Sequence, residues 1–461
     1  MARTQPLDAA RCTALAARFG TPLFVYDAEV LAASFGELRE ALPPAVEIFY
    51  SLKANPNVSV VGVLAAAGAR AEVCSRAELR TALLAGIDPA DIIFLGPSKS
   101  AADLEACLTA GIYAIVVESF DELGELDRIA RSRRVRPRVM LRVNPRRGTT
   151  GAGLSMGGKP RQFGIDESQL EHCGSVPERF PQLDVCGIHV YLGTRLLDAS
   201  LFTENVRATL ELAERIAAVT GIRLAAVDVG GGVGVAYFAG ESDPDLSGVR
   251  AELEPLVASF RQRHPRVRLM CESGRFLAAR AGEYVVRVGA VKQSMGQWFA
   301  STDGGTHHHQ AAAGIGSVVP RNFPVRLLNR TSAAPAGAWQ VTGSLCTPND
   351  TLARAIITSV KQAGKPIPVV TGQDSEVESV KSIMAGEQYS TIFKDTRSLV
   401  KETVAMVGQL QKGEKVTTND DKSYNNGVKV VPANLLPPVI VTKANAAEAY
   451  ANDPTLLALT K

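Results

Sequence analysis

The side chain with the clearest chemical potential in this 461-residue chain is Lys53, which ends the apolar run EIFYSLK. Residues 1–348 contain only four lysines against 33 arginines, so a lysine at this position is conspicuous. Arginine cannot form a Schiff base, whereas a lysine removed from water can lose its proton and attack a carbonyl group. The pattern therefore indicates a nucleophilic amine; its alternative is a lysine that ends a strand and reaches solvent.

Two further segments suggest an anion site and a buried acid. VDVGGGVGV (227–235) places three glycines after an apolar run, and the backbone N–H groups of such a loop can surround a phosphate. A plain tight turn gives the same pattern. Glu272 ends the apolar run VRLMCE, and a buried carboxylate needs a cationic or hydrogen-bonding partner. A protonated heterocyclic nitrogen would serve, and so would an arginine such as Arg275.

The residues at positions 189 and 346 could each have a role in the site or simply pack in the core. His189 in CGIHVYLGT is either a satisfied core histidine or a flat ring that stacks on a planar ligand. Cys346 in GSLCTPND is either a small buried hydrophobe or an acid near a reacting carbon. The three adjacent histidines at 307–309 would alternate faces on a strand, so we predict no metal site there.

Composition narrows the class of protein. The formal charge of +3 and the pI near 8.4 do not indicate a nucleic-acid partner, and no apolar stretch is long enough to predict a membrane span. The N-terminus lacks the pattern of a cleaved signal peptide. Seven dispersed cysteines without CxxC spacing are typical of reduced thiols, so we expect a cytoplasmic protein.

The order of apolar runs predicts the fold. Between residues 46 and 275, short apolar runs alternate with amphipathic, helix-like segments, and the runs fall at 47–52, 69–74, 92–96, 114–118, 138–144, 185–191, 224–229 and 267–272. Eight such units match the size and order of a (β/α)8 barrel better than a doubly wound sheet. In these barrels the chemistry gathers at the C-terminal strand ends, where Lys53, Arg142, His189 and Glu272 would all lie.

The motifs together resemble a known family. YSLKAN, EVCSRAEL, FLGPSKS, RVNP, RQFGID, GIHVYLGT, DVGGGVGV, ESGR and LCTPND occur in the order found in fold-type III pyridoxal-phosphate decarboxylases. This family includes diaminopimelate, ornithine and arginine decarboxylases. MGGKPRQFGID and DGGTHHH are most similar to the branch that acts on aminoacyl groups held by an acyl carrier protein. The resemblance covers about residues 20–350 and implies an alanine-racemase-like barrel.

The resemblance also implies roles for individual residues. Lys53 would bind pyridoxal 5′-phosphate through a Schiff base, Glu272 would keep the ring nitrogen protonated, and His189 would stack on the ring. Cys346 would return a proton to the carbanion across the interface of a homodimer. The phosphate would be held by Gly231, Gly232, Gly274 and Arg275, with Thr194 nearby. Glu72 and Glu78 match acidic positions near the family's lysine, with less defined roles. Apart from the resemblance, Arg142 is a site position because it ends a predicted strand, and Arg161 near the RQFGID turn either meets a substrate carboxylate or is a surface arginine.

After Cys346 the family pattern stops. No GAYG-like segment follows, although its tyrosine contacts the phosphate in the family. From about Asn349 the chain instead resembles the C-terminal part of periplasmic xylose- and multiple-sugar-binding proteins, in which Asp350 and Asp374 would bind sugar hydroxyls. The Lys:Arg count changes at the same place, from 4:33 before residue 349 to 11:2 from it onward.

We therefore predict a chimera. Residues 1–26 would contribute to a β-domain, 27–283 would form the cofactor-binding barrel, 284–348 would begin an incomplete β-rich domain, and 349–461 would form a partial α/β binding-protein-like lobe. The expected function is decarboxylation of a small amino acid or a carrier-bound aminoacyl group, impaired by the foreign C-terminus. The alternatives are an amino-acid racemase on the same barrel and a monosaccharide-binding module.

Overall fold

The computed structural model divides the chain into two compact units, residues 1–285 with 323–334, and residues 286–322 with 335–461. It describes residues 7–146, 154–155, 157–158, 160–238, 240–294, 297–305, 308, 325–328, 339–343, 353–354, 357–358, 361, 367, 370–420, 430 and 432–460. The predicted seam near Asn349 lies outside these residues. The predicted domain boundaries stay predictions.

The strands of the first unit are short and mostly parallel. In chain order, the described ones are β1 Leu23–Tyr26, β2 Val46–Ser51, β3 Arg70–Val73, β4 Ile92–Phe94, β5 Ala114–Val117, β6 Arg138–Asn144, β7 Leu154–Ser155, β8 Ile165–Asp166, β9 Asp184–His189, β10 Gly193–Thr194, β11 Ala226–Asp228, β12 Arg268–Ser273 and β13 Gly282–Val285. Among the described residues, eight of them pair in parallel in the closed order β2-β3-β4-β5-β6-β9-β11-β12. The predicted barrel is confirmed.

Helices connect these strands and cover the outside of the barrel. The described helices of this unit are α1 Ala9–Phe19, α2 Ala28–Ala41, α3 Val58–Ala66, α4 Arg76–Leu84, α5 Ala101–Ala110, α6 Phe120–Arg133, α7 Glu167–Glu171, α8 Val176–Arg179, α9 Ala199–Thr220, α10 Val249–Arg263 and α11 Arg275–Ala278. Several begin directly after a strand with a serine cap: Ser75 and Ser119 accept hydrogen bonds from the backbone N–H groups of Glu78 and Glu122. Such caps fix where each strand-to-helix turn ends.

Strand alternation fills the barrel in layers. Phe49, Met140, Ala226 and Met270 face inward and form part of a fully buried apolar cluster, while their sequence neighbours pack outward against the helices. Two residues further along the same strands, the inward position is polar, which gives the set Ser51, Arg142, Asp228 and Glu272. Since side chains alternate with a period of two, an apolar floor lies beneath a polar mouth at the C-terminal strand ends.

The second unit combines a small sheet with an α/β segment. Strands β14 Val288–Ser294 and β15 Gln297–Thr302 are antiparallel, and β16 Trp339–Gly343 joins β15 in parallel. The later elements are α12 Val377–Met384, β17 Ser390–Phe393, α13 Thr396–Gln411, β18 Val439–Thr442, α14 Ala446–Ala449 and α15 Pro454–Leu457. Residues 377–411 form a helix, a strand and a helix in turn, which is the α/β character predicted for residues 349–461. In neither unit do the described helices combine the length and apolar character needed to cross a membrane.

Close packing inside the barrel can be tested at Gly187. A Cβ atom at this position would lie 2.7 Å from the carbonyl oxygen of Ala226 and 2.8 Å from Cγ of Met140. We expect Gly187→Ala to lower the free energy of unfolding by about 1–3 kcal/mol, since overpacked cores lose that much. The measurement is urea unfolding followed by far-ultraviolet circular dichroism.

Gly124 is the matched control, because it lies inside α6 and a Cβ there meets nothing within 4 Å. Gly124→Ala should raise the free energy of unfolding by up to about 1 kcal/mol through helix propensity. Equal stability of Gly187→Ala and the unsubstituted protein would contradict the packing described.

Candidate active site

Lys53 lies on a single 3-10 turn, Leu52–Ala54, that follows strand β2. Its Nζ donates to both carboxylate oxygens of Glu72, at 3.1 and 3.0 Å, because Ser51 and Glu72 are opposite one another on paired strands. Glu72 is fully buried, whereas half of the Lys53 side chain is exposed in the mouth. The Lys53 side chain is thus partly open to the mouth, while its Nζ is paired with a buried carboxylate.

This ion pair sets the protonation of the lysine. Burial alone would lower the pKa of Lys53, but the charges of Glu72 and then Glu272 outweigh it, so the pKa is raised. The sequence suggested that removal from water would deprotonate Lys53. In the structure, desolvation alone does not do this, because the negative charges outweigh it. Lys53 stays an ammonium as long as Glu72 is its partner.

Glu72 and Glu78 differ in what they bind. Cys74 donates its thiol hydrogen to Oε1 of Glu72 at 3.0 Å, so Glu72 serves the lysine and a thiol together. Glu78, in the first turn of α4, accepts the backbone N–H of Cys74 at 2.7 Å. Burial raises the pKa of Glu78. Glu78 therefore anchors the strand-to-helix turn and has no direct bond to Lys53 among the hydrogen bonds described.

His189, Asp228 and Glu272 lie at the ends of the consecutive strands β9, β11 and β12, the last of which pairs with β2. All three are buried, and one ligand atom from each lies within 4.8 Å of the others. Nε2 of His189 is 3.1 Å from Oε1 of Glu272, and Oδ1 of Asp228 accepts the N–H of Gly230 at 2.8 Å. Among the described residues, Oε2 of Glu272, Oδ2 of Asp228 and Nδ1 of His189 are buried without a hydrogen-bond partner. A divalent cation could use such a set of one imidazole and two carboxyl groups.

The two buried carboxyl groups divide their charge unequally. Burial raises the pKa of Asp228, and the nearby negative charge of Glu272 raises it further. Burial would also raise the pKa of Glu272, yet the charges of His189 and Lys53 and the bond to His189 lower it to about 2. Like charges this close do not both ionise, so Asp228 is neutral and Glu272 is the anion.

The glycine loop after β11 packs directly on its neighbours. A Cβ at Gly231 would lie 1.7 Å from the carbonyl oxygen of Glu272, so only glycine fits there. Gly232 has φ +100°, and its added Cβ would lie 2.2 Å from the carbonyl oxygen of Gly193. The backbone N–H of Glu272 donates to Gly230, which joins the ends of β11 and β12. The loop thereby presents backbone, without side chains, to the mouth.

The remaining residues predicted to bind phosphate lie around this loop. Thr194 ends β10, and Arg275 begins α11 directly after Gly274. A Cβ at Gly274 would lie 2.9 Å from the Cβ of Ala54, so the ESGR turn packs against the turn that carries Lys53. Nη1 of Arg275 donates to the hydroxyl of Tyr237 at 2.9 Å. Positive charge and free backbone N–H groups are the groups that a phosphate needs.

Arg142 is fixed by Glu118, a residue the sequence interpretation missed. Oε1 of Glu118 accepts from Arg142 at 2.9 Å and from the N–H of Gly96 at 3.0 Å, and its Oε2 accepts the N–H of Gly164 at 3.1 Å. Glu118 thus ties together the loops after β4, β5 and β6. The signal was available, because AIVVE ends an apolar run with an acid just as VRLMCE does.

The other predicted site residues fall elsewhere. Cys346 and Asp350 lie outside the described residues. Asp374, expected to bind a sugar, belongs to the second unit, where one of its carboxylate oxygens is 3.0 Å from Nζ of Lys394. Arg161 lies in the described loop before Phe163, whose ring centroid is 4.7 Å from the guanidinium of Arg142. The roles of all these residues stay predictions.

Two family models match the chain. The model described as "Pyridoxal-dependent decarboxylase, pyridoxal binding domain" matches residues 29–279. The model described as "Periplasmic binding protein domain" matches residues 333–415, which agrees with the chimera inferred from the composition change. The two matches do not overlap.

Individual relatives agree with the first match. The L-glutamyl-[BtrI acyl-carrier protein] decarboxylase of Niallia circulans is 36% identical over 354 residues, covering 76% of this chain and 83% of that protein. The diaminopimelate decarboxylase of Pseudomonas aeruginosa is 32% identical over 350 residues, covering 74% of this chain and 80% of that enzyme.

Solved structures lead to the same family. The crystal structure of diaminopimelate decarboxylase from Helicobacter pylori, complexed with L-lysine, matches with a TM-score of 0.64 and 28% identity, covering 72% of this chain and 81% of that one. Its fold and the motifs at the barrel mouth agree with the family-model match, which spans residues 29–279 of 461. The chain belongs to the pyridoxal-dependent decarboxylases.

Proposed function

We propose that the barrel mouth binds pyridoxal 5′-phosphate and that the chain decarboxylates an amino acid, with an aminoacyl group on an acyl carrier protein as the favoured substrate class. The observation that carries the proposal is the position of Lys53, after β2, next to the paired strand β12 with its buried Glu272, whose Oε2 has no hydrogen-bond partner among the described residues. The favoured substrate follows the Niallia circulans relative, which is 36% identical and acts on a carrier-linked glutamyl group by its name.

The residues present fit this cofactor. Oε2 of Glu272 is buried without a partner among the described residues, and a protonated pyridine nitrogen would donate the missing hydrogen bond. The pKa of Glu272, lowered to about 2, keeps it anionic at any working pH. The side-chain-free backbone at Gly231 and Gly232, with Arg275 beside it, suits a phosphate. Lys53 would supply the amine that binds the aldehyde, and Glu72, which holds its ammonium, is placed to take the proton that the amine must lose.

Pyridoxal phosphate supplies an electron sink for the carbanion that remains when the carboxylate leaves. Glu72 would accept hydrogen bonds from the Lys53 ammonium whenever this amine is not bonded to the cofactor. This contact would keep the lysine side chain beside the reacting groups. His189 orients Glu272 through the 3.1 Å bond to Oε1. Cys346 is proposed to return a proton at the reacting carbon, from a second copy of the chain in a homodimer.

Lys53 is tested by trapping the cofactor. After addition of pyridoxal phosphate and borohydride reduction, mass spectrometry should find the adduct on the peptide that contains Lys53. Lys53→Arg keeps a positive charge for Glu72 but cannot form a Schiff base, so we expect a folded protein with no adduct and decarboxylation slowed by roughly a thousandfold or more.

Lys292→Ala is the matched control, because Lys292 lies in the other unit. This variant should carry the adduct on Lys53, as the unsubstituted chain does. Labelling at another lysine would contradict the assignment.

Carbon dioxide release from free L-glutamate, diaminopimelate and a glutamyl-loaded carrier protein identifies the substrate class. Inversion of the substrate without carbon dioxide release would indicate a racemase instead.

The neutral state of Asp228 is tested through the pH dependence of stability. The folded pKa of Asp228 is raised, so the folded protein keeps a proton that the unfolded chain releases above about pH 4. Stability from this group is therefore full below that pH and falls as pH rises, by about 1.4 kcal/mol per pH unit while the folded state keeps the proton. Asp228→Asn should remove this fall in stability above about pH 4 in urea unfolding of the apoprotein.

Asp245 offers a control because hydrogen bonds from Ser247 lower its pKa, so it is ionised in both states across this range. Asp245→Asn should leave the slope unchanged. Parallel slopes for Asp228→Asn and the unsubstituted chain would mean that Asp228 is ionised in the fold.

A further inference from the structure

Two carboxyl groups and an imidazole at the barrel mouth are enclosed but incompletely bonded. Among the described residues, Oδ2 of Asp228 and Oε2 of Glu272 are buried without a hydrogen-bond partner, and so is Nδ1 of His189. Asp228 and His189 are 0% exposed, and Glu272 is 1% exposed. Buried polar atoms without partners are costly, so this group of three residues favours an additional ligand.

The spacing of the three residues suits a metal ion. One ligand atom from each lies within 4.8 Å of the other two, and Nε2 of His189 is 3.1 Å from Oε1 of Glu272. Two ligands of a tetrahedral zinc ion, each bonded at about 2.0–2.2 Å, are roughly 3.4 Å apart. The imidazole and the Glu272 carboxylate are therefore already spaced as adjacent ligands of such an ion. Asp228 completes the set after a shift of up to roughly 1.5 Å.

The charges around the mouth also favour a cation. Lys53 is paired with Glu72 and Arg142 with Glu118, so each of these positive groups brings its own counter-charge. Within the described part of the chain, the hydrogen bonds of Asp228 and Glu272 come from the N–H of Gly230 and from His189, and not from a lysine or an arginine. A divalent ion would compensate both carboxylates at once, which one hydrogen-bond donor does not do.

We propose that the apoprotein binds one transition-metal ion, such as Zn²⁺ or Co²⁺, through Nε2 of His189 and one carboxylate oxygen each from Asp228 and Glu272. An imidazole with two carboxylates suits these ions, and the remaining coordination positions face the open mouth. In the neutral imidazole the hydrogen moves from Nε2 to Nδ1, and a carboxyl proton leaves to solvent, because metal ligands bind in their deprotonated form. The metal and the cofactor ring nitrogen would compete for Glu272, and this competition rests on the proposed function.

Cobalt reports the site directly, because its visible absorption bands depend on the ligands. Titration of the full-length apoprotein with Co²⁺, after removal of metals with a chelator, should produce these bands with one ion per chain. Glu272→Gln keeps the shape of the side chain without its charge and should weaken Co²⁺ binding by at least about tenfold. Asp228→Asn should do the same, and it serves as the second variant if circular dichroism shows that Glu272→Gln is unfolded.

Two controls separate this site from adventitious binding. Asp245→Asn removes an exposed carboxylate of the same unit and should leave the titration unchanged. A variant with alanines at positions 307–309 removes the histidine run, and it should keep the bands that Glu272→Gln loses. Pyridoxal phosphate trapped on Lys53 by borohydride should prevent the bands from forming.

The outcomes distinguish the metal site from the proposed function. Equal cobalt bands in Glu272→Gln, Asp228→Asn and the unsubstituted chain would overturn the inference, as would a titration of the unsubstituted chain that produces no bands. If the bands depend on Glu272 and Asp228 as expected but no cofactor can be trapped on Lys53, the metal site stands and the proposed cofactor function fails.

Discussion

The arrangement of side chains at the barrel mouth depends on how the charges of three buried carboxyl groups are paired or neutralised. Glu72, Asp228 and Glu272 are all essentially inaccessible to water, and a buried charge without a partner is strongly unfavourable. Glu72 is paired with Lys53, Glu272 is bonded to His189, and Asp228 keeps its proton. Oε2 of Glu272 has no hydrogen-bond partner among the described residues, and under the proposed function this acceptor would take the hydrogen bond of a cationic ring nitrogen.

The sequence predicted the frame of this arrangement because strand periodicity is local. An apolar residue on β12 at Met270 dictates that Glu272 faces the same way, and the same holds for Ala226 and Asp228 on β11. The triple glycine was recognisable since backbone contacts as close as the one at Gly231 exclude any side chain. Lys53 was conspicuous because lysines are rare and arginines common in residues 1–348.

What the sequence could not give is the pairing between strands. The partner of Lys53 depends on the register that places Ser51 opposite Glu72, and the neutral state of Asp228 depends on its distance from Glu272. Glu118 was missed for this reason too, since its partners lie on strand β6 and in the two separate loops that contain Gly96 and Gly164.

The apolar floor beneath the mouth has a kinetic consequence. Phe49, Met140, Ala226 and Met270 form a buried apolar layer below the acidic groups, and such a layer is a poor path for protons. Proton exchange with solvent is therefore expected through the C-terminal mouth. A ring bound at that end would cover this route, so His189, Asp228 and Glu272 would exchange protons with solvent more slowly while it is bound.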